Sequence, residues 1–308
     1  MSVVHVPAAP AAALHLSAVT KQFGRNKALD RLTFSVPAGS ICGLVGENGA
    51  GKTTCLSIIG GFLRADAGVI DVLGMGPFDV ARHRGRVGIL PQDAELPEES
   101  TPEALLRTWG RLQGMGKAAA EHAAKQAIDE VQLADRARSL VKALSHGMRR
   151  RLTVASALLG TPELILLDEP TAGLDPAQAR HLRQVLAARR GTATVVISSH
   201  NLPELEHLCD HVIVIEKGRC VGNDPMSAVT GRDREVTICL APPFPAGRAG
   251  QVQLRLLATD PADLADETSK LLAQLIAEGA RIIEVRRGSA LEEKYFGEGG
   301  LADLTGME

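Results

Sequence analysis

The sequence predicts an α/β fold with a mostly parallel sheet, an antiparallel β subdomain, an inserted helical subdomain and a small C-terminal α+β domain. Three observations predict it. Unbroken, β-branched apolar runs recur at Ile41-Cys42-Gly43-Leu44-Val45, Leu164-Ile165-Leu166-Leu167, Val195-Val196-Ile197 and Val212-Ile213-Val214-Ile215. Strands buried on both faces read this way. Between the first two runs, residues from about 100 to 160 turn helical and Ala/Leu-rich, and after about 222 the pattern alternates afresh.

Each element has a local reason. Residues 1–12 are rich in Ala and Pro and read as a loose tail. Leu14-His15-Leu16 and Leu32-Thr33-Phe34-Ser35-Val36 alternate as strands do, and Pro37-Ala38-Gly39 turns the chain into the run that starts at Ile41. Val69–Leu73 and Val87–Leu90 read as further strands. Ser100-Thr101-Pro102-Glu103 is a capping signal with Pro in the first turn of a helix. Met148, Leu152, Ala155 and Leu159 share one helical face, and Gly160-Thr161-Pro162 stops that helix. Glu216-Lys217-Gly218-Arg219 reads as a hairpin turn, and Gly222-Asn223-Asp224-Pro225 as the start of a linker. Beyond it come a strand at Val252/Leu254/Leu256, a helix over about 262–277 ended by Gly279, and a strand at Arg281–Val285. A capping box at Ser289-Ala290-Leu291-Glu292 opens a last short helix.

The 308 residues suffice for a large domain and a small one, with 45% apolar and 3% aromatic residues. A net charge of −2 gives no general attraction to nucleic acid or anionic lipid. The bunches Arg82-His83-Arg84-Gly85-Arg86 and Arg149-Arg150-Arg151 read as solvated loop or helix faces. Five cysteines without CxxC pairing fit buried thiols in a reducing compartment. No charged n-region starts the chain and no run of about 18 apolar residues occurs, so a membrane span would have to come from a partner.

Gly46-Glu47-Asn48-Gly49-Ala50-Gly51-Lys52-Thr53-Thr54 fits G-x-x-x-x-G-K-[ST], between an apolar run and a helix-like run. Glycines let successive N–H groups turn inward onto phosphate oxygens, and the following helix points its positive end there. Lys52 can reach the β- and γ-phosphates, and the Thr53 hydroxyl can hold Mg²⁺. The motif predicts nucleoside triphosphate binding on a P-loop NTPase core. Leu164–Leu167 leads into Asp168-Glu169, two carboxylates delivered to the ligand crevice by a strand end. Asp168 is expected to contact Mg²⁺ directly or through water, and Glu169 to polarise an attacking water. The long interval between Lys52 and Asp168 is filled by the helical stretch, which therefore looks like an insertion.

With these motifs the chain resembles the ATP-binding cassette (ABC) ATPases over about residues 14–222. Gln92, in Leu90-Pro91-Gln92-Asp93, looks like the glutamine that contacts Mg²⁺ and water and relays nucleotide state to the insertion. Leu144-Ser145-His146-Gly147-Met148 matches the signature LSGGQ at three of five positions, with His146 and Met148 departing from it. Gly173-Leu174-Asp175-Pro176 resembles the D-loop, His200 the switch histidine that touches the γ-phosphate, and Phe23 the aromatic that stacks on adenine. Singly, Gln92 or His200 reads as a polar residue ending a strand and Leu-Ser-x-Gly as a helix cap, while Phe23 reads as a stacking aromatic ahead of core filling; their order around one phosphate loop carries the resemblance.

The resemblance implies two copies facing head to tail, with ATP and Mg²⁺ on one protomer's loop and Ser145 and Gly147 of the other closing over it. It implies a 13–222 ATPase domain with a helical insertion at about 93–160, and a 223–308 accessory domain. It implies an ATPase that drives a separate integral membrane permease from the cytoplasmic face of the cell membrane, without nucleic acid as a partner. The tail segment Leu291–Phe296 looks like the ending of drug, polysaccharide or antibiotic-resistance exporters, which favours export. The alternative is a soluble ABC ATPase of translation or DNA repair, whose usual second cassette, coiled coils and zinc fingers do not occur here. An ordinary phosphate-loop kinase would leave Leu144–Met148 and His200 unexplained.

Overall fold

The computed structural model describes residues 12–200, 202–230, 235–241, 252–257 and 264–287. Residues 1–11 of the expected tail, the capping box at Ser289 and the segment Leu291–Phe296 lie outside the described residues. Packing divides the chain into two units, 1–201 with 208–223, and 202–207 with 224–308.

The first unit opens with β1 (Ala12–Phe23) and β2 (Asn26–Pro37), antiparallel and longer than the alternating runs alone indicate. β3 (Ile41–Val45) leads through the phosphate loop into α1 (Lys52–Ile59). β4 (Ala67–Val72) then pairs with β1, which completes the antiparallel subdomain in the order β2-β1-β4. β5 (Val87–Leu90) precedes the helical insertion, made of α2 (Pro102–Leu112), α3 (Lys117–Glu130) and α4 (His146–Leu158). β6 (Leu164–Asp168), α5 (Pro176–Ala187) and β7 (Thr194–Ser198) follow. After α6 (Leu202–Leu208), whose residues 202–207 group with the second unit, come β8 (His211–Glu216) and β9 (Arg219–Pro225).

The main sheet runs β5-β6-β7-β3-β8-β9, and β5, β6, β7, β3 and β8 are parallel. Every residue of β3, β6 and β7 is buried, as continuous apolar strands require. In the insertion, Thr101 Oγ1 accepts from Ala104 N at 3.3 Å with Pro102 at the first turn, so the expected cap forms. Leu152, Ala155 and Leu159 of the predicted helical face join Leu106, Ala124 and Ile128 in a separate core.

Two expectations are corrected. Gly222–Pro225 is the end of β9 rather than the start of a linker. β9 is the edge strand, where Pro is tolerated, and Asn223 Oδ1 is bonded to His211 Nε2 at 2.7 Å. The arginine bunches are not solvated throughout. His83 is 1% exposed, stacked on Phe78 with Nε2 3.1 Å from the Val72 carbonyl, and Arg86 forks onto Glu163. Arg151 is buried, and its Nη1 donates to the carbonyls of Val131 and Gln132 at 2.8 and 2.9 Å, holding the end of α3.

The second unit carries α7 (Met226–Thr230), β10 (Glu235–Ala241), β11 (Val252–Leu257), α8 (Leu264–Ala277) and β12 (Arg281–Arg287). Its sheet is antiparallel, in the order β11-β10-β12. Val236, Ile238 and Leu240 pack with Leu264 and Leu275 of α8, a small core of its own. Among the described residues no helix is long and apolar enough to cross a membrane.

Candidate nucleotide site

The phosphate loop is shaped by what its glycines avoid. A Cβ on Gly46 would lie 2.3 Å from the Ile215 carbonyl, and one on Gly51 2.7 Å from the Ala28 carbonyl. Gly51 also has φ +111° as the residue before α1, which a side chain would strain. The loop is held by Ala50 N donating to Glu47 O at 3.1 Å and Gly218 N donating to Ala50 O at 2.9 Å. Lys52 folds back over it, its Nζ donating to the carbonyls of Gly46 at 2.6 Å and Glu47 at 3.0 Å. Burial pulls the Lys52 ammonium below its ordinary range, opposed by the charges of Glu169 and Asp168.

A cavity of about 560 Å³ opens in front of this loop, a size ordinary for a small-molecule site. Asn48, Gly49, Gly51, Lys52, Thr53 and Thr54 of the predicted set line it, together with Phe23, Gln92, Asp168 and Glu169. Phe23 is 47% exposed at the rim, with Lys21 Nζ 5.4 Å from the ring centroid. An exposed aromatic at a cavity mouth has a face free to stack. Thr53 Oγ1 donates to Gln92 Oε1 at 3.0 Å, joining α1 to the mouth of the insertion.

Asp168 ends β6 only 3% exposed, and Ser198 Oγ donates to its carboxylate. The parallel register that pairs Asp168 with Ser198 sets this contact. Ser198 was not legible as a site residue, because cross-strand register is not written in local sequence. Glu169 has φ +50°, a left-handed conformation costing a side-chain-bearing residue roughly 1–2 kcal/mol. Its N–H donates to Ser198 Oγ at 3.0 Å, and its Oε2 lies 2.9 Å from His200 Nδ1. His200 is largely exposed while Glu169 is mostly buried, so the histidine covers the carboxylate from the solvent side.

Ser145, Gly147 and Asp175 do not line the cavity. Ser145 caps α4, its Oγ accepting from Met148 N at 3.3 Å, and Asp175 caps α5, its Oδ1 accepting from Gln178 N at 2.9 Å. The first turns of the two helices meet, since a Cβ on Gly147 would lie 3.0 Å from Gln178 Oε1. Sequence reasoning missed Arg150, whose Nη2 donates to the carbonyls of Asp168 at 2.7 Å and Glu169 at 2.6 Å. Its position one turn before buried Val154, on the packed side of α4, was the available signal.

Known proteins share the family and the fold of this chain. Residues 29–172 match the ABC transporter family model. The chain is 39% identical over 266 residues to a Nod factor export ATP-binding protein I of Burkholderia lata, covering 84% of this chain and 81% of that protein. It is 39% identical over 230 residues to the daunorubicin resistance ATP-binding protein DrrA3 of Streptomyces coeruleorubidus, covering 72% of each. A solved ATP-binding subunit of an ABC transporter superposes with a TM-score of 0.64 at 27% identity, over 70% of this chain and 91% of that one. A dimeric ATP-binding cassette, MJ0796, solved with ADP and Pi, has the same fold with a TM-score of 0.64 at 22% identity, over 69% and 98%. The phosphate loop, the paired strand-end carboxylates and these likenesses together establish that the chain belongs to the ABC transporter family, as a nucleotide-binding ATPase.

Proposed function

We propose that this chain powers export through a separate integral membrane permease, working as a homodimer at the cytoplasmic face of the cell membrane. One observation carries the reading. A single cavity gathers Lys52, Thr53, Gln92, Asp168 and Glu169, while Ser145 and Gly147 stand apart from it. A nucleotide on this loop therefore keeps an open side, which the exposed Ser145 end of a second copy suits. The relatives named for Nod factor export and daunorubicin resistance favour export over import. Residues 13–222 form the ATPase domain in this reading and 223–308 an accessory domain, with the permease docked on the insertion near Gln92.

The donors fit Mg²⁺. Thr53 Oγ1, Gln92 Oε1 and the Asp168 carboxylate are hard oxygen ligands, too few for an all-protein cage and suited to a cation shared with phosphates. Mg²⁺ held there would neutralise charge on the β- and γ-phosphate oxygens. Lys52 exchanges the Gly46 and Glu47 carbonyls for phosphate, and the loop N–H groups bind the remaining oxygens. Glu169 takes a proton from the water that attacks the γ-phosphorus, as the bond to the bridging oxygen breaks and ADP leaves. His200 holds the Glu169 carboxylate in place.

Glu169→Gln tests the assignment. It should bind ATP as wild type does, lose at least about 100-fold in turnover, and elute as a dimer with ATP. Full turnover, or a monomer at saturating ATP, rejects the reading. Co-purification with ribosomes or DNA in place of a multi-span membrane protein would reject the transport role.

A further inference from the structure

Arg150 lies on α4 five residues beyond the Ser145 cap, about 7–8 Å along the helix axis. Its guanidinium leaves its own helix altogether. Nη2 donates to both the Asp168 and Glu169 carbonyls, and Nη1 lies 3.5 Å from the Gln92 carbonyl. Among the described residues its buried Nε has no hydrogen-bond partner, so the guanidinium is directed at these carbonyls. Successive carbonyls of an extended strand point to opposite sides. Here both reach one nitrogen because Glu169 is left-handed, so Arg150 grips the turn that aims the Glu169 carboxylate. The same helix begins with Ser145, Gly147 and the exposed surface assigned above to the other nucleotide.

We propose that Arg150 is a positioning residue that couples the two nucleotide sites of the dimer, tying the helix end that meets one ATP to the backbone that aims Glu169 at the other. The coupling rests on the homodimer reading. A packed helix moves as a rigid body, so a shift of its N-terminus on closure reaches the guanidinium undiminished. A displacement of about 1 Å at a catalytic carboxylate is worth on the order of 100-fold in rate. Hydrolysis at each site then requires ATP at both, and turnover is cooperative.

The test uses full-length Arg150→Ala and Arg150→Lys, with ATPase rate against MgATP concentration and binding of a fluorescent ATP analogue. Arg150→Ala should lose about 30- to 100-fold in kcat while nucleotide affinity stays within about twofold. Its Hill coefficient should fall from above 1 in the wild type to about 1. Arg150→Lys, which keeps a cation and a donor, should recover part of the kcat. If Arg150→Ala does not fold, as judged by its melting curve, the kcat and Hill coefficient of Arg150→Lys decide. A dimeric, cooperative wild type whose Arg150 variants match it overturns the role of Arg150. Loss of affinity in step with kcat overturns it as well, as a structural effect only. A wild type with a Hill coefficient of about 1 whose Glu169→Gln form stays monomeric under ATP overturns the homodimer reading and the coupling with it.

Discussion

Thr53 and Gln92, separated by 39 residues, are joined by a 3.0 Å hydrogen bond from Oγ1 to Oε1. Thr53 stands in the first turn of α1, and Gln92 follows β5 where the chain leaves for the helical insertion. The bond sets two oxygen donors side by side. Gln92→Ala removes one donor and the orientation of the other. Losing a ligand-orienting partner typically costs 10- to 100-fold in metal affinity or activity, so an upward shift of about tenfold in the Mg²⁺ concentration for half-maximal ATPase is expected. Metal-free ATP binding should be unchanged, since the Lys52 and backbone contacts remain. An unshifted Mg²⁺ titration would remove Gln92 from the metal site.

The loop itself tolerates no side chain at its first glycine. A Cβ on Gly46 would lie 2.3 Å from the backbone oxygen of Ile215, inside a buried strand that has no room to move. Gly46→Ala should therefore displace the loop from β8 and lower ATP affinity at least about tenfold, equivalent to about 1.4 kcal/mol. Equilibrium binding of the nucleotide checks this, with circular dichroism to show that the fold survives. Wild-type affinity would mean that the loop shifts without cost.

Much of this site was legible in the sequence because its parts are local. The phosphate loop and the Asp168-Glu169 pair are contiguous motifs, and the unbroken runs of β3, β6 and β7 cannot be amphipathic helices. Longer-range dependencies were not legible. Gly222–Pro225 holds turn-forming residues, yet it pairs at the sheet edge, where a neighbouring strand outweighs propensity. Arg150 reads as one of three surface arginines until carbonyls 18 and 19 residues away come within reach of its guanidinium. The partnership of Ser198 with Asp168 depends on the parallel register of β6 and β7, which only the assembled sheet fixes.

Acid stability should depend on Glu163. Its hydrogen bond and ion pair with Arg86 hold the carboxyl below the ordinary 4.5, against a smaller opposing effect of burial. A carboxyl depressed in the folded state adds stability above its unfolded pKa, and that contribution fades as pH falls through the folded value. Both side chains are partly exposed, so the contribution near neutrality is at most about 1 kcal/mol. Glu163→Gln should lower Tm by a few degrees at about pH 7 and converge on wild type as the pH falls through the depressed folded-state value of Glu163. A Tm difference that widens toward acid would contradict the direction of the shift.

His146 stands where the family signature most often has glycine, and its ring edge rests against Gly173. A Cβ on Gly173 would come within 2.8 Å of His146 Cδ2 and Nε2. Gly173→Ala thus carries two penalties, the collision with the imidazole and a left-handed φ of +73° worth roughly 1–2 kcal/mol for a residue with a side chain. His146→Gly relieves the first and leaves the second. Alone, His146→Gly should cost about 0.5–1 kcal/mol through the weak helix preference of glycine, since the imidazole is exposed. The double variant should then be more stable than the sum of the single losses predicts, by about 1 kcal/mol in a denaturant-unfolding cycle. Additivity within about 0.3–0.5 kcal/mol would show that the imidazole does not press on Gly173 in solution. The signature helix would then meet this region through Gly147, where an added Cβ lies 3.0 Å from Gln178 Oε1 and 3.6 Å from Leu174 Cδ2.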